Sequence, residues 1–225
     1  MYLLSASNAK ALEVTHLSWA KSKYFPRIKV NYENATLSIN ERNFYNFFIN
    51  NIAPSEYFEN LIIGKPTKLR STLRALVTLF PDSFQLIKIS VDIKKLGVKS
   101  VPQAVIDQFN ILTGRLNQNE AIVKSEAKSI IKRLNKVFDY DGFIRKRKIN
   151  PPKELNKLNW SGYQLAFHLK VRICPYCNRQ FTTTLKLNKE GYARPQLDHF
   201  YPKSKYPYFA ISLYNLIPSC SICNA

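Results

Sequence analysis

Four cysteines lie in the last quarter of this 225-residue chain, as two Cys-x-x-Cys pairs, Cys174/Cys177 and Cys220/Cys223, with 42 residues between them. Four thiolates in two such knuckles can close a tetrahedral zinc site. A redox motif needs only one pair, and two disulfides suit a small secreted chain, which this is not. The expectation is structural zinc, with thiolates consumed by the metal and a reducing, cytoplasmic compartment. Between the pairs lie residues of a different chemistry. Asp198 and His199 end a predicted strand, Asn215 follows His199 by sixteen residues, and Asn224 comes nine later, beside the last cysteine. His199 can accept a proton near neutral pH. Asp198 and the side-chain carbonyl of Asn224 are hard oxygen donors of the kind Mg or Mn takes. Each also has a plainer reading: His199 as a polar hairpin residue, Asn215 as a turn residue, Asn224 as a cap on the knuckle's last turn.

Asp198-His199 and Asn215, nested between the cysteine pairs, and Asn224, beside the second pair, together resemble the HNH nuclease motif, the ββα-metal fold, over residues 174–225. The strings LDHFYPKSKYP and LYNLIPSC look most like the small HNH proteins of bacterial anti-phage systems, of the Septu and retron-associated kind. The resemblance implies a metal-dependent endonuclease that hydrolyses phosphodiester bonds of nucleic acid, DNA ahead of RNA, in bacterial defence. It implies one catalytic Mg or Mn held by Asp198 and Asn224, water activation by His199, and an Asn215 that tethers the loop and orients His199. A partner protein is also expected, such as an ATPase of the same defence system. Neighbouring strand residues point to opposite faces, so Asp198 and His199 can act on one phosphate only if the strand end bends, and Pro202 suits a bend. Lys203 and Lys205 stand in the following loop, where each can hold a phosphate as a point charge. The family's last helix normally continues past the position of Asn224, whereas this sequence stops at Ala225, so the expected final helix is cut short. The competing expectation is a non-catalytic, zinc-containing module that binds nucleic acid or serves as an assembly subunit of an ATPase-containing complex.

The charge balance agrees with a polyanionic partner. Lys plus Arg is 34 and Asp plus Glu is 15, a formal charge of +19, which points to nucleic acid first and an anionic membrane surface second. With 45% hydrophobic and 22% charged residues, the composition is globular rather than disordered. No apolar run approaches the roughly 18–20 residues of a membrane span. Met1 to Lys10 lacks a basic start and an apolar core, so no secretory signal is expected. Neither a helix-turn-helix with convincing spacing nor an RRM signature is visible.

The elements that must position the site read as mainly α: a helical domain over 1–141, for partner or substrate binding, a basic linker over 142–160, and the nuclease module over 161–225. Ser38-Ile-Asn-Glu41 is a capping box ahead of Phe44, Phe47 and Phe48. Pro54 restarts the chain and Gly64 stops a helix. Thr67 can cap a helix carrying Leu69, Leu73 and Leu76, ended by Pro81, and Pro102 opens another over 102–113. Asn119 begins the longest expected helix, with Val123, Ala127, Ile130, Leu134 and Val137 at a helical period, broken by Asp141-Gly142. Its opposite face carries Lys124, Lys128, Lys132 and Lys136, either a solvated face or a phosphate rail. Arg145 to Arg172 is strongly basic and contains Pro151-Pro152. After Ser161 a short amphipathic helix is expected, carrying a structural His168. A hairpin follows, out over Phe181–Leu187 and back over Tyr192–Phe200. His16, far from any ligand-like cluster, is expected to have no catalytic role. The helical part is expected to form a core of its own.

Overall fold

Ser38, Asn119 and Asp139 each turn a side-chain oxygen onto a backbone N–H three residues ahead, and a helix starts at each. The computed structural model describes residues 6–49, 54–95, 100–114, 118–145, 160–187 and 191–224. Its helices in chain order are α1 (Ala6–Tyr32), α2 (Ile39–Asn46), α3 (Pro54–Ile63), α4 (Pro66–Leu79), α5 (Pro81–Lys95), α6 (Gln103–Thr113), α7 (Glu120–Val137), α8 (Tyr140–Ile144) and α9 (Gly162–Leu169). Four short strands follow, β1 (Leu185–Leu187), β2 (Gly191–Ala193), β3 (Gln196–His199) and β4 (Leu216–Ser219). The protein is therefore mainly helical, with the cysteines at its C-terminal end. No helix among the described residues is long and apolar enough to cross a membrane.

The expected apolar stripe of α7 is the buried one. Val123, Ala127, Ile130, Leu134 and Val137 are at most 1% exposed, and burying each of the larger ones stabilises the fold by roughly 1.5–3 kcal/mol. α3 stops at Gly64, where a Cβ would strike the Asn60 carbonyl. Several expectations are corrected. The capping box is only half formed: Ser38 Oγ accepts from the Glu41 N–H, but the Glu41 carboxylate meets Arg133 of α7 in a two-pronged pair at 2.6 and 2.7 Å. α4 starts at Pro66 with Lys65 as its cap and no side-chain capping bond, so Thr67 lies inside the helix; the proline's fixed φ and missing N–H suit that first position. The longest helix is α1, not α7. Exposed Val14, Phe25 and Val30 blur its pattern, while Leu12, His16, Trp19, Ala20, Tyr24 and Ile28 make the buried face.

The returning arm of the hairpin is split. β1 pairs only with β2, in antiparallel register Leu185↔Ala193. After Pro195 the chain pairs elsewhere: β3 lies antiparallel to β4, with Gln196 opposite Ser219 and His199 opposite Leu216. Proline has no N–H for a ladder bond, which suits a break between the two ladders. Of the linker, 142–145 and Trp160 are described, with Gly142 to Ile144 inside α8; Lys146 to Asn159 lie outside the described residues.

One apolar interior runs through both ends of the chain rather than stopping at the linker. Leu197, Tyr208, Phe209, Ile211 and Leu213 belong to the same buried cluster as Trp19, Phe44, Phe48 and Phe138. The Tyr208 ring meets Phe44 and Phe84 edge-on or tilted, at 6.2 and 5.8 Å. Ser212 Oγ donates to the Leu61 carbonyl, and Tyr214 OH to Glu13.

His16 sits at this seam, fully buried. The Trp160 indole N–H can only donate, so it fixes Nδ1 of His16 as acceptor, at 2.8 Å. Nε2–H then donates to the Ile211 carbonyl, also at 2.8 Å. Burial pulls the His16 pKa down to about 4, against the opposing pull of the Ile211 carbonyl. An unfolded imidazole takes its proton near pH 6.5. Between about pH 6.5 and 4 the unfolded chain therefore binds the extra proton, and stability should fall as pH falls through that window, by roughly 3 kcal/mol from this group. Urea denaturation at stepped pH should show a steeper acid loss for the wild type than for His16→Gln. Equal slopes would remove His16 from the account.

Candidate functional site

The four sulfurs lie within 4.8 Å of one another, with Cys177 Sγ and Cys220 Sγ 4.0 Å apart, and all four cysteines are free. A zinc tetrahedron with sulfurs at about 2.3 Å has edges of about 3.8 Å, so the cluster fits a metal ion such as zinc with little contraction. Both knuckles are the same turn. The Asn178 N–H returns to the Cys174 carbonyl at 2.9 Å, and the Asn224 N–H to the Cys220 carbonyl at 3.2 Å. Burial pushes the Cys174 thiol up, but backbone N–H groups of Cys220, Cys177 and Tyr176 bring it down to about 6. Cys223 is pushed up to about 12, first by its hydrogen bond with Cys220. A cation among the four sulfurs would displace their remaining protons on binding.

β3 rests on the second knuckle's strand and carries chemistry on both faces. On one face, Tyr176 OH, from inside the first knuckle, donates to Asp198 Oδ2 at 2.7 Å, while Asp198 Oδ1 accepts the His199 N–H at 2.7 Å. Two residues back on the same face, Gln196 Oε1 accepts from Asn224 Nδ2 at 2.6 Å. That bond uses the Asn224 amide N–H and ties Asn224 to a residue on the same strand face as Asp198. Asn224 also closes the knuckle turn, as its counterpart Asn178 does, so its backbone has the structural role weighed above.

The other face of β3 carries His199. Its Nε2–H donates to the Ala210 carbonyl at 3.0 Å, and its ring meets Tyr140 edge-on at 4.6 Å. Tyr140 OH is itself bonded to the Leu197 carbonyl at 2.8 Å. A carbonyl can only accept, so Nδ1 of His199 is left with the lone pair. Burial holds the His199 pKa below the usual imidazole value; Lys203 adds to this, while the Ala210 carbonyl and Asp198 oppose it. The imidazole is therefore neutral near pH 7, as a proton acceptor must be.

Asn215 is fully buried and ties the intervening loop shut. Its Oδ1 accepts the Tyr201 N–H at 2.6 Å, and its Nδ2 donates to the Phe209 carbonyl at 2.9 Å and to the Tyr201 carbonyl at 3.2 Å. Phe209 and Ala210 are adjacent, so Asn215 and His199 grip neighbouring carbonyls of one segment. The structure brings these two together. No hydrogen bond joins the Asp198 and His199 side chains: adjacent strand residues point to opposite faces, and the chain bends directly after the strand, at Phe200 and Tyr201, ahead of Pro202.

Of the loop lysines, Lys203 pairs with Asp141 at 3.2 Å and lies 4.8 Å over the Tyr140 ring, while Lys205 is exposed. On α7, Lys124 is paired with Glu120 at 2.7 Å, and Lys128, Lys132 and Lys136 are exposed. His168 stacks on Trp160 with ring centroids 6.2 Å apart, a packing role. No helix follows Cys220 within the described residues; 221–224 are the knuckle turn.

Three neighbours escaped sequence reasoning. Tyr176 lies inside a cysteine knuckle and reads there as a spacer. Tyr140 is 59 positions before His199 and reads as part of a helix break. Gln196 shares a face with Asp198, a relation the strand period contains but does not mark as functional. Compared with family models, curated proteins and solved structures, the chain matches none.

Proposed function

We propose that the protein is a zinc-stapled, metal-dependent HNH-type endonuclease acting on nucleic acid, DNA ahead of RNA. Its setting would be bacterial anti-phage defence in a reducing cytoplasm, alongside a partner such as an ATPase of the same system. The observation that carries this reading is the shared grip of His199 and Asn215 on the adjacent carbonyls of Ala210 and Phe209, which presets a neutral imidazole on a strand end. The +19 charge supplies the attraction for a polyanion.

In this reading His199 takes a proton from the attacking water at Nδ1, with Nε2 held by Ala210. Asp198 and the Asn224 carbonyl would hold Mg or Mn, a cation whose chemistry is to neutralise charge on the scissile phosphate. Tyr176 holds the Asp198 carboxylate in place from the knuckle, so the cysteine cluster supports the carboxylate directly. Lys203 and Lys205 contribute positive charge in the loop.

A second reading, a non-catalytic zinc-containing subunit that binds nucleic acid or a partner, is favoured by one observation: the Asp198 carboxylate is bonded to Tyr176 and the His199 imidazole to the Ala210 carbonyl, with no bond between the two side chains. Incubating supercoiled plasmid and a single-stranded RNA with the protein decides between them. The nuclease reading expects cleavage that requires added Mg or Mn and is lost in Asp198→Ala with binding retained. Binding without turnover in every metal, and unchanged binding in Asp198→Ala, would establish the second reading instead.

A further inference from the structure

A cleft of about 240 Å³ opens between α5, α7 and the loop after β3. Ser90 and Lys94 of α5, Asn135 of α7, and Lys203 and Ser204 of the loop supply its polar lining. Tyr140 forms part of the wall, and the same ring meets His199 edge-on and lies under the Lys203 ammonium. The cleft is thus one aromatic ring away from the proposed general base.

From this juxtaposition we infer that the cleft is a phosphate subsite, holding a phosphodiester group of the nucleic-acid strand that flanks the one being cut; this rests on the proposed nuclease reading. The donors suit that ligand: the Lys94 ammonium, two hydroxyls and one amide line one opening, beside the Lys203 ammonium that Asp141 shares. Asp141 is the acid on the wall, and Lys203 already neutralises it at 3.2 Å. Lys94 is exposed and has no acidic partner among the described residues, so its charge is available to an anion. Size selects the class further. Pockets that enclose a whole small ligand run to roughly 300–1,000 Å³, so this one takes a phosphate with part of its sugar, as a segment of a polymer would offer. The α7 lysines explain the approach. Asn135 lies beside Lys136 and one turn from Lys132, so the exposed stripe leads along α7 to the mouth of the cleft.

The test is fluorescence-anisotropy binding of a labelled DNA duplex by the full chain over a salt series. Lys94→Glu is compared with Arg70→Glu, an equal charge reversal at an exposed position of α4, which does not line the cleft. Lys94→Glu should weaken binding roughly ten-fold more than Arg70→Glu, and Lys94→Ala should lower the log–log salt slope by about 0.9, one duplex phosphate. If the two reversals weaken binding equally, or the slope of Lys94→Ala is unchanged, charge acts diffusely and the subsite is wrong while nucleic-acid binding stands. If the wild type shows no salt-sensitive binding at all, the nuclease reading falls and the subsite with it.

Discussion

Replacing His199 with alanine should slow cleavage by roughly 100- to 10,000-fold, the usual contribution of a positioned general base, and leave duplex binding near that of the wild type. The expectation follows from the way the imidazole is held. One nitrogen is committed to the Ala210 carbonyl and burial keeps the ring neutral, so the ring can take a proton from water without first losing one. Because the pKa lies below the usual imidazole value, the rate should stay at its plateau to a lower pH than an exposed histidine allows, then fall as Nδ1 becomes protonated. Near-wild-type cleavage by the alanine variant, with melting unchanged, would exclude His199 as the base. A loss of cleavage accompanied by collapse of the fold is separated from loss of the base by His199→Gln, which keeps a donor for Ala210 but supplies no imidazole.

Stripping the metal, or replacing Cys174 with serine, should be more disruptive still. Structural zinc in small modules is worth about 10–16 kcal/mol, comparable with the roughly 5–15 kcal/mol that holds a whole domain. The two knuckles anchor Cys220 at the end of β4 and Tyr176 against Asp198, so losing the metal should release the β3–β4 pair and the loop between them. That loop contributes Tyr208, Phe209 and Ile211 to the common interior, so the damage should reach the helices as a large fall in Tm even where helical circular dichroism persists at low temperature. Metal analysis should find one zinc per chain in the untreated protein. An unchanged Tm in metal-free protein, with β3 and β4 amides still protected from hydrogen exchange, would show that the cysteines do not staple the fold.

What could be read from the sequence was whatever depends on near neighbours. The cysteine knuckles, the Asn119 cap and the stripe from Val123 to Val137 are short-range patterns, and all three have the expected geometry. The misses are long-range. Glu41 has two possible partners, its own cap and a guanidinium 92 residues away, and only tertiary packing chooses Arg133. β3 could continue the hairpin or turn to β4; Pro195 permits either, and the choice needs the partner strand. The tether by Asn215 is an expectation from resemblance to which three bonds give a physical basis, whereas the bend at Phe200 and Tyr201, directly after β3, is something strand periodicity does not specify.

The loop between β3 and β4 is gripped from the helical side at Ile211 by His16, at Ser212 by its bond to Leu61, and at Tyr208 by the Phe44 and Phe84 rings. The same segment presents the Ala210 carbonyl that aims His199. A shuffling event that cut near residue 160 would therefore carry off His199 without the mould that shapes its loop. Homologous exchange should conserve the two ends as one inherited block, and a transplanted C-terminal fragment should need α1 to α3 supplied in trans before its histidine is correctly aimed.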